Sequence, residues 1–104
     1  MLISEYTEWT KSFRIKRKSL SPEKAEASYS ALGLAGEAGE VAEIIKKMLR
    51  DGKLDREDLK LELGDVFYYF ITLAELYDLS LFEIIDANVE KLTQRKEMGT
   101  LIRR

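Results

Sequence analysis

An all-α fold, a four-helix bundle-like domain completed by oligomerisation, is expected of this chain from three features. Apolar residues recur at helical spacing in four segments, helix-start signals stand ahead of three of them, and no stretch alternates with the period of a strand. With 104 residues the chain supports one hydrophobic core, so residues 1–104 are read as a single domain.

The first helix is expected over residues 4–18, where Tyr6, Trp9 and Phe13 fall on one face. At that spacing the three aromatics are read as core rather than as base-stacking groups. The second, over 22–50, opens on Ser21-Pro22, an N-cap followed by the first helical position, where proline's missing N–H costs nothing. Asp51-Gly52 closes it. The third, over 56–77, has Asp55 as its cap, with Asp58 three residues on; the fourth, over 81–96, has Ser80 and Glu83 as a capping box and Gly99 just past its end. Short connections make neighbouring helices antiparallel.

The third helix carries Val66, Phe67, Tyr68, Tyr69, Phe70, Ile71, Leu73 and Leu76, which cover nearly its whole circumference. Such a helix is buried on all sides. Three other helices are too few to surround it, so part of its surface is expected to meet another subunit.

Composition narrows the chemistry. The chain is 45% hydrophobic and 35% charged, as suits a folded domain, and its net charge of -2 gives no overall attraction to a nucleic acid polymer or an anionic membrane. One local basic run, Arg14, Lys16, Arg17 and Lys18, is read as a solvated helix end. The absence of cysteine removes disulfides and thiolate sites, and no apolar run approaches a membrane span or a signal peptide, so a cytoplasmic location is expected. Histidine is absent too, which leaves carboxylates, amines, hydroxyls and water as reactive groups.

Carboxylates stand where core residues belong. The apolar stripe of the second helix is Leu34, Val41, Ile44, Ile45 and Met48, and Glu37 projects from its centre with Glu40 beside it; Glu43 lies further round, toward solvent. In the third helix Glu62 and Asp65 share a face with Leu61, Tyr69, Leu73 and Leu76. Any one of these acids could sit at the edge of its stripe and pair with Lys46, Lys47, Lys60 or water, but four ionised carboxylates on two core-facing stripes call for a stronger positive partner. All-oxygen ligation selects Mg²⁺ or Mn²⁺ over zinc, and the Glu-x-x-His motif of di-iron bundles cannot be built without histidine.

On the fourth helix Asn88, Lys91 and Arg95 share a stripe with Ile84, Ile85 and Leu92. An arginine fork, a lysine point charge and an amide suit phosphate and base recognition; equally, both cations favour a helix C-terminus and can reach outward to solvent. Glycines 33, 36 and 39 inside the second helix each cost about 1 kcal/mol relative to alanine, which implies either close helix approach or space for a ligand.

The ordered set Gly33-Leu34-Ala35-Gly36-Glu37-Ala38-Gly39-Glu40-Val41, then Glu62-Leu63-Gly64-Asp65-Val66, then Asn88, Lys91 and Arg95 resembles the MazG-like branch of the all-α nucleoside triphosphate pyrophosphohydrolases over residues 31–95. The resemblance implies Mg²⁺ bound by Glu37, Glu40, Glu62 and Asp65, and a homodimer or homotetramer as the active unit. It also implies nucleotide contacts from Asn88, Lys91 and Arg95, with Tyr69 as a further candidate, and hydrolysis of nucleoside triphosphates to monophosphate and pyrophosphate. Gly36 stands where some relatives carry an acid, which leaves the general base open between Glu40 and Glu37. The rival expectations are a non-catalytic helical dimerisation module and a nucleotide-binding regulator that does not hydrolyse its ligand.

Overall fold

The computed structural model describes residues 1–13 and 21–99, and among these it is all-α. Four α-helices follow one another: α1 (Ile3–Thr10), α2 (Pro22–Asp51), α3 (Arg56–Leu76) and α4 (Leu81–Glu97).

The expected caps form. Ser21 Oγ accepts from the Lys24 N–H at 3.3 Å, Asp55 Oδ1 from the Asp58 N–H at 3.0 Å, and Ser80 Oγ from the Glu83 N–H at 3.1 Å. Each supplies an acceptor to a first-turn donor that has no partner within its own helix. Gly52, at φ +77, donates to the Met48 carbonyl at 2.7 Å and turns the chain from α2 into α3.

α3 ends at Leu76, one residue short of the expected bound, and does so without a glycine. Asp78 takes the left-handed conformation, φ 57, while Leu79 N–H bonds back to the Ala74 carbonyl and Asp78 N–H to that of Glu75. This is the double hydrogen bond of a Schellman closure, with aspartate in the place glycine usually fills.

The first helix stops earlier than its aromatic spacing suggested. α1 ends at Thr10 and passes into a single 3₁₀ turn, Lys11–Phe13. Thr10 Oγ1 donates to the Thr7 carbonyl at 2.7 Å and Ser12 Oγ to the Trp9 carbonyl at 2.8 Å, so hydroxyls occupy carbonyls that a continuing helix would use. The basic run from Arg14 to Lys18 lies outside the described residues.

Helices α2 and α3 form a hairpin that holds most of the tertiary contact, and α1 packs across α3. Lys11 Nζ, 3.0 Å from Glu75, ties the end of α1 to the C-terminal half of α3. α4 makes no interface of comparable extent with the other helices. The described core is thin: Ala25, Ser30 and Ile44 from α2, Ile71, Thr72 and Ala74 from α3, and Thr10 from α1 are buried. As expected from the small number of helices, this chain alone does not enclose α3: Val66 to Phe70 are half-buried and Leu61 is 65% exposed, with α1 and α2 as its main neighbours. A radius of gyration of 16.6 Å, against about 13 Å for a compact domain of this size, agrees with helices that do not close on themselves.

Candidate metal centre

The hairpin brings three of the sequence-selected acids together. Glu37 from α2 and Glu62 and Asp65 from α3 each present a carboxylate oxygen, and these oxygens all lie within 4.8 Å of one another. Glu37 and Glu62 are half-buried and Asp65 is exposed, so the cluster opens to solvent on one side. Glu62 and Asp65, three apart on α3, are neighbours on one helix face, and antiparallel α2 supplies Glu37 opposite them.

Nothing cationic relieves this crowding among the described residues. Lys46 pairs with Glu43 at 3.0 Å and Lys60 with Glu57 at 2.8 Å, each within its own helix, and Lys11, paired with Glu8 and Glu75, and Arg50, paired with Asp51, also bypass the cluster. Among the described residues, then, no lysine neutralises the three acids. Glu62 carries the consequence. A carboxyl–carboxyl hydrogen bond with Glu37, then burial, then the charges of Glu37, Asp65 and Asp58 push its pKa up to about 7. That hydrogen bond exists only while one of the pair holds a proton, and Glu62 Oε2 is otherwise buried without a hydrogen-bond partner. A hard divalent cation suits such a donor set, since it supplies the charge that the oxygens lack.

Glu40, one turn beyond Glu37, is exposed and lies outside the three-carboxylate group. Tyr69 sits over Gly33, and burial, then a hydrogen bond with Tyr29, then the charges of Tyr29, Glu37 and Tyr68 push its phenol up to about 12. Asn88 and Lys91 are exposed on α4, where they line a shallow groove with Leu79, Glu83, Ile84 and Ala87 that none of the three carboxylates borders; Arg95 is half-buried one turn further on. Within one chain, then, the acid cluster and the cationic stripe are built on different parts of the fold.

Residues 26–100 match the family model of the MazG nucleotide pyrophosphohydrolase domain. The chain belongs to the MazG nucleotide pyrophosphohydrolase family. It is also similar to the gene 37 protein of Mycobacterium phage L5, at 43% identity over 79 residues, covering 71% of this chain and 69% of the phage protein. No solved structure matches it. MazG domains are in general divalent-metal-dependent nucleotide pyrophosphohydrolases, and the acid cluster lies within the matched region. No helix among the described residues is long and apolar enough to cross a membrane.

Two parts of this MazG domain site escaped the sequence reading. Tyr29 supports Tyr69 through a ring contact at 6.1 Å, and its position four residues before Gly33 on α2 was the available signal. Tyr6 of α1 comes close enough to α3 that burial, Tyr68 and Asp65 together raise its phenol pKa; only the packing of α1 on α3 reveals that neighbour.

Proposed function

We propose that this chain hydrolyses nucleoside triphosphates, canonical or modified, to the monophosphate and pyrophosphate, using Mg²⁺ or Mn²⁺ held by Glu37, Glu62 and Asp65. One observation carries the reading: three carboxylates from two helices converge within 4.8 Å, and among the described residues no cationic side chain pairs with them. A bound divalent cation would offset charge on the triphosphate oxygens and lower the pKa of coordinated water. Glu40, exposed one turn from the cluster, is the acceptor for the proton of the attacking water, with Glu37 as the second candidate. The water oxygen bonds to the α-phosphorus, the bond from that phosphorus to the bridging oxygen breaks, and pyrophosphate leaves.

Lys91 and Arg95 would donate to phosphate oxygens and Asn88 to the base or sugar, with Tyr69 forming the wall beside Glu37. Because α4 stands apart from the α2–α3 hairpin, a second copy of the chain is the source we propose for the cationic stripe at each cluster, in a homodimer or a pair of dimers. Exposed Leu32, Leu49, Leu61 and Phe82 supply apolar surface for that assembly. Residues 1–104 form one such domain, acting in the cytoplasm on surplus or damaged nucleotides.

The test is pyrophosphate release from a panel of nucleoside triphosphates, with Mg²⁺ and with chelator. Release that requires the metal, and that falls in Glu62→Gln and Asp65→Asn, is expected. Metal-dependent nucleotide binding with no product would leave a regulator instead of an enzyme.

A further inference from the structure

The aromatic face of α1 is not spent on the core. Trp9 is 46% exposed and Phe13 55%, although both were expected inside. Their rings are nevertheless ordered against one another and against α3: Trp9 to Phe13 at 4.6 Å, Trp9 to Tyr6 at 5.5 Å, and Trp9 edge-on to Tyr68 at 6.4 Å with an interplanar angle of 82°. Tyr6 closes the group on Phe67 at 5.4 Å. Half-exposed indole, held in place by three neighbours, offers a rigid flat surface at little cost in side-chain freedom.

Its position relates it to the acid cluster. Tyr68 lies three residues after Asp65 on α3, on the adjoining helix face. A rise of about 4.5 Å along the helix, followed by the ring-to-ring step, puts the indole on the order of 10 Å from the metal-binding carboxylates. Tyr6, 5.5 Å from Trp9 and 5.4 Å from Phe67 between ring centroids, ties the indole to the same stretch of α3. A nucleotide whose phosphates meet the carboxylates extends its sugar and base over this distance, and every base presents a π-face suited to an aromatic side chain.

We propose that Trp9 is the stacking surface for the substrate's base, which makes it a substrate-binding residue of the same site. The inference rests on the hydrolysis reading above, and two measurements separate them. Trp9 is the single tryptophan of the chain, so intrinsic emission reports its surroundings without labelling. With Mg²⁺ present, a nucleoside triphosphate carrying a non-hydrolysable α,β-bridge should quench that emission, whereas inorganic triphosphate should leave it unchanged. In kinetics, Trp9→Ala should raise KM for nucleoside triphosphates about ten-fold or more, the effect of losing one aromatic stack. Trp9→Phe should retain most of the wild-type value, and inorganic triphosphate should inhibit wild type and both variants equally.

An unchanged KM in Trp9→Ala, or equal quenching by inorganic triphosphate and the nucleotide analogue, overturns the assignment while leaving hydrolysis standing. Absence of turnover in the wild type defeats the hydrolysis reading alone, and the quenching comparison still decides the stacking. Should Trp9→Ala not fold, the wild-type quenching and the Trp9→Phe KM decide it.

Discussion

Tyr69 lies so close over Gly33 that a Cβ at that glycine would come 2.7 Å from the ring's Cδ1. The contact sets the spacing of α2 and α3 one turn before Glu37, and it accounts for one glycine of the three in α2: a Cβ at Gly36 or Gly39 would meet nothing within 4 Å. Gly33→Ala should therefore destabilise the protein by about 1–2 kcal/mol, since overpacking outweighs the helix-propensity gain of about 1 kcal/mol. Gly64→Ala on α3, where the space is open, should stabilise by roughly 0.5–1 kcal/mol. Urea denaturation of both variants measures the contrast, and the double variant Gly33→Ala with Tyr69→Leu should recover part of the loss.

The Glu62 carboxyl links stability to pH. Its folded-state pKa of about 7 stands above the ordinary value of 4.5, so protonation favours the folded form. The contribution is fully present below 4.5 and is lost as pH rises through about 7. In chelator, Tm should fall between pH 5 and pH 8, and Mg²⁺ should remove most of that fall by replacing the proton with a cation. Glu62→Gln should flatten the profile in chelator; an unaltered slope in that variant would place the titrating group elsewhere.

Glu40 separates metal binding from proton transfer. Because it stands outside the three-carboxylate group, Glu40→Gln should keep the Mg²⁺-induced rise in Tm while lowering kcat by about 10²–10⁴-fold. Asp65→Asn and Glu62→Gln should lose the rise itself. Full activity in Glu40→Gln would remove Glu40 from the mechanism and leave Glu37 as the base.

At the turn into α4, Asp78 holds φ 57, a conformation that costs an L-residue more than glycine. Asp78→Gly should raise stability by roughly 0.5 kcal/mol, the relief being partly offset by glycine's greater freedom in the unfolded chain. Thermal denaturation at fixed metal concentration reads this directly.

The legible parts of the fold were those written in local chemistry. Ser21-Pro22, Asp55 and Ser80 announce helix starts because a cap needs only residues within one turn, and all three caps form. The acids on α2 and α3 were visible for a similar reason: helical spacing fixes which side chains share a face, and a short turn makes the two helices neighbours. Whether Glu40 joins Glu37, Glu62 and Asp65 depends on a rotation of α2 that spacing does not set. The end of α1 was hidden because Thr10 and Ser12 capture carbonyls through their side chains. Trp9 looked like core because periodicity identifies an apolar face without saying whether anything covers it. The stand-off of α4 was illegible for the same reason, since amphipathic spacing is satisfied equally by a helix of the same chain or of another.

Diffraction from crystals grown with Mn²⁺, recorded for its anomalous signal, addresses the cluster most directly. A peak bonded at about 2.2 Å to oxygens of Glu37, Glu62 and Asp65 is the expected result. A map with no peak among these three side chains, at saturating Mn²⁺ and with the carboxylates ordered, would contradict the account.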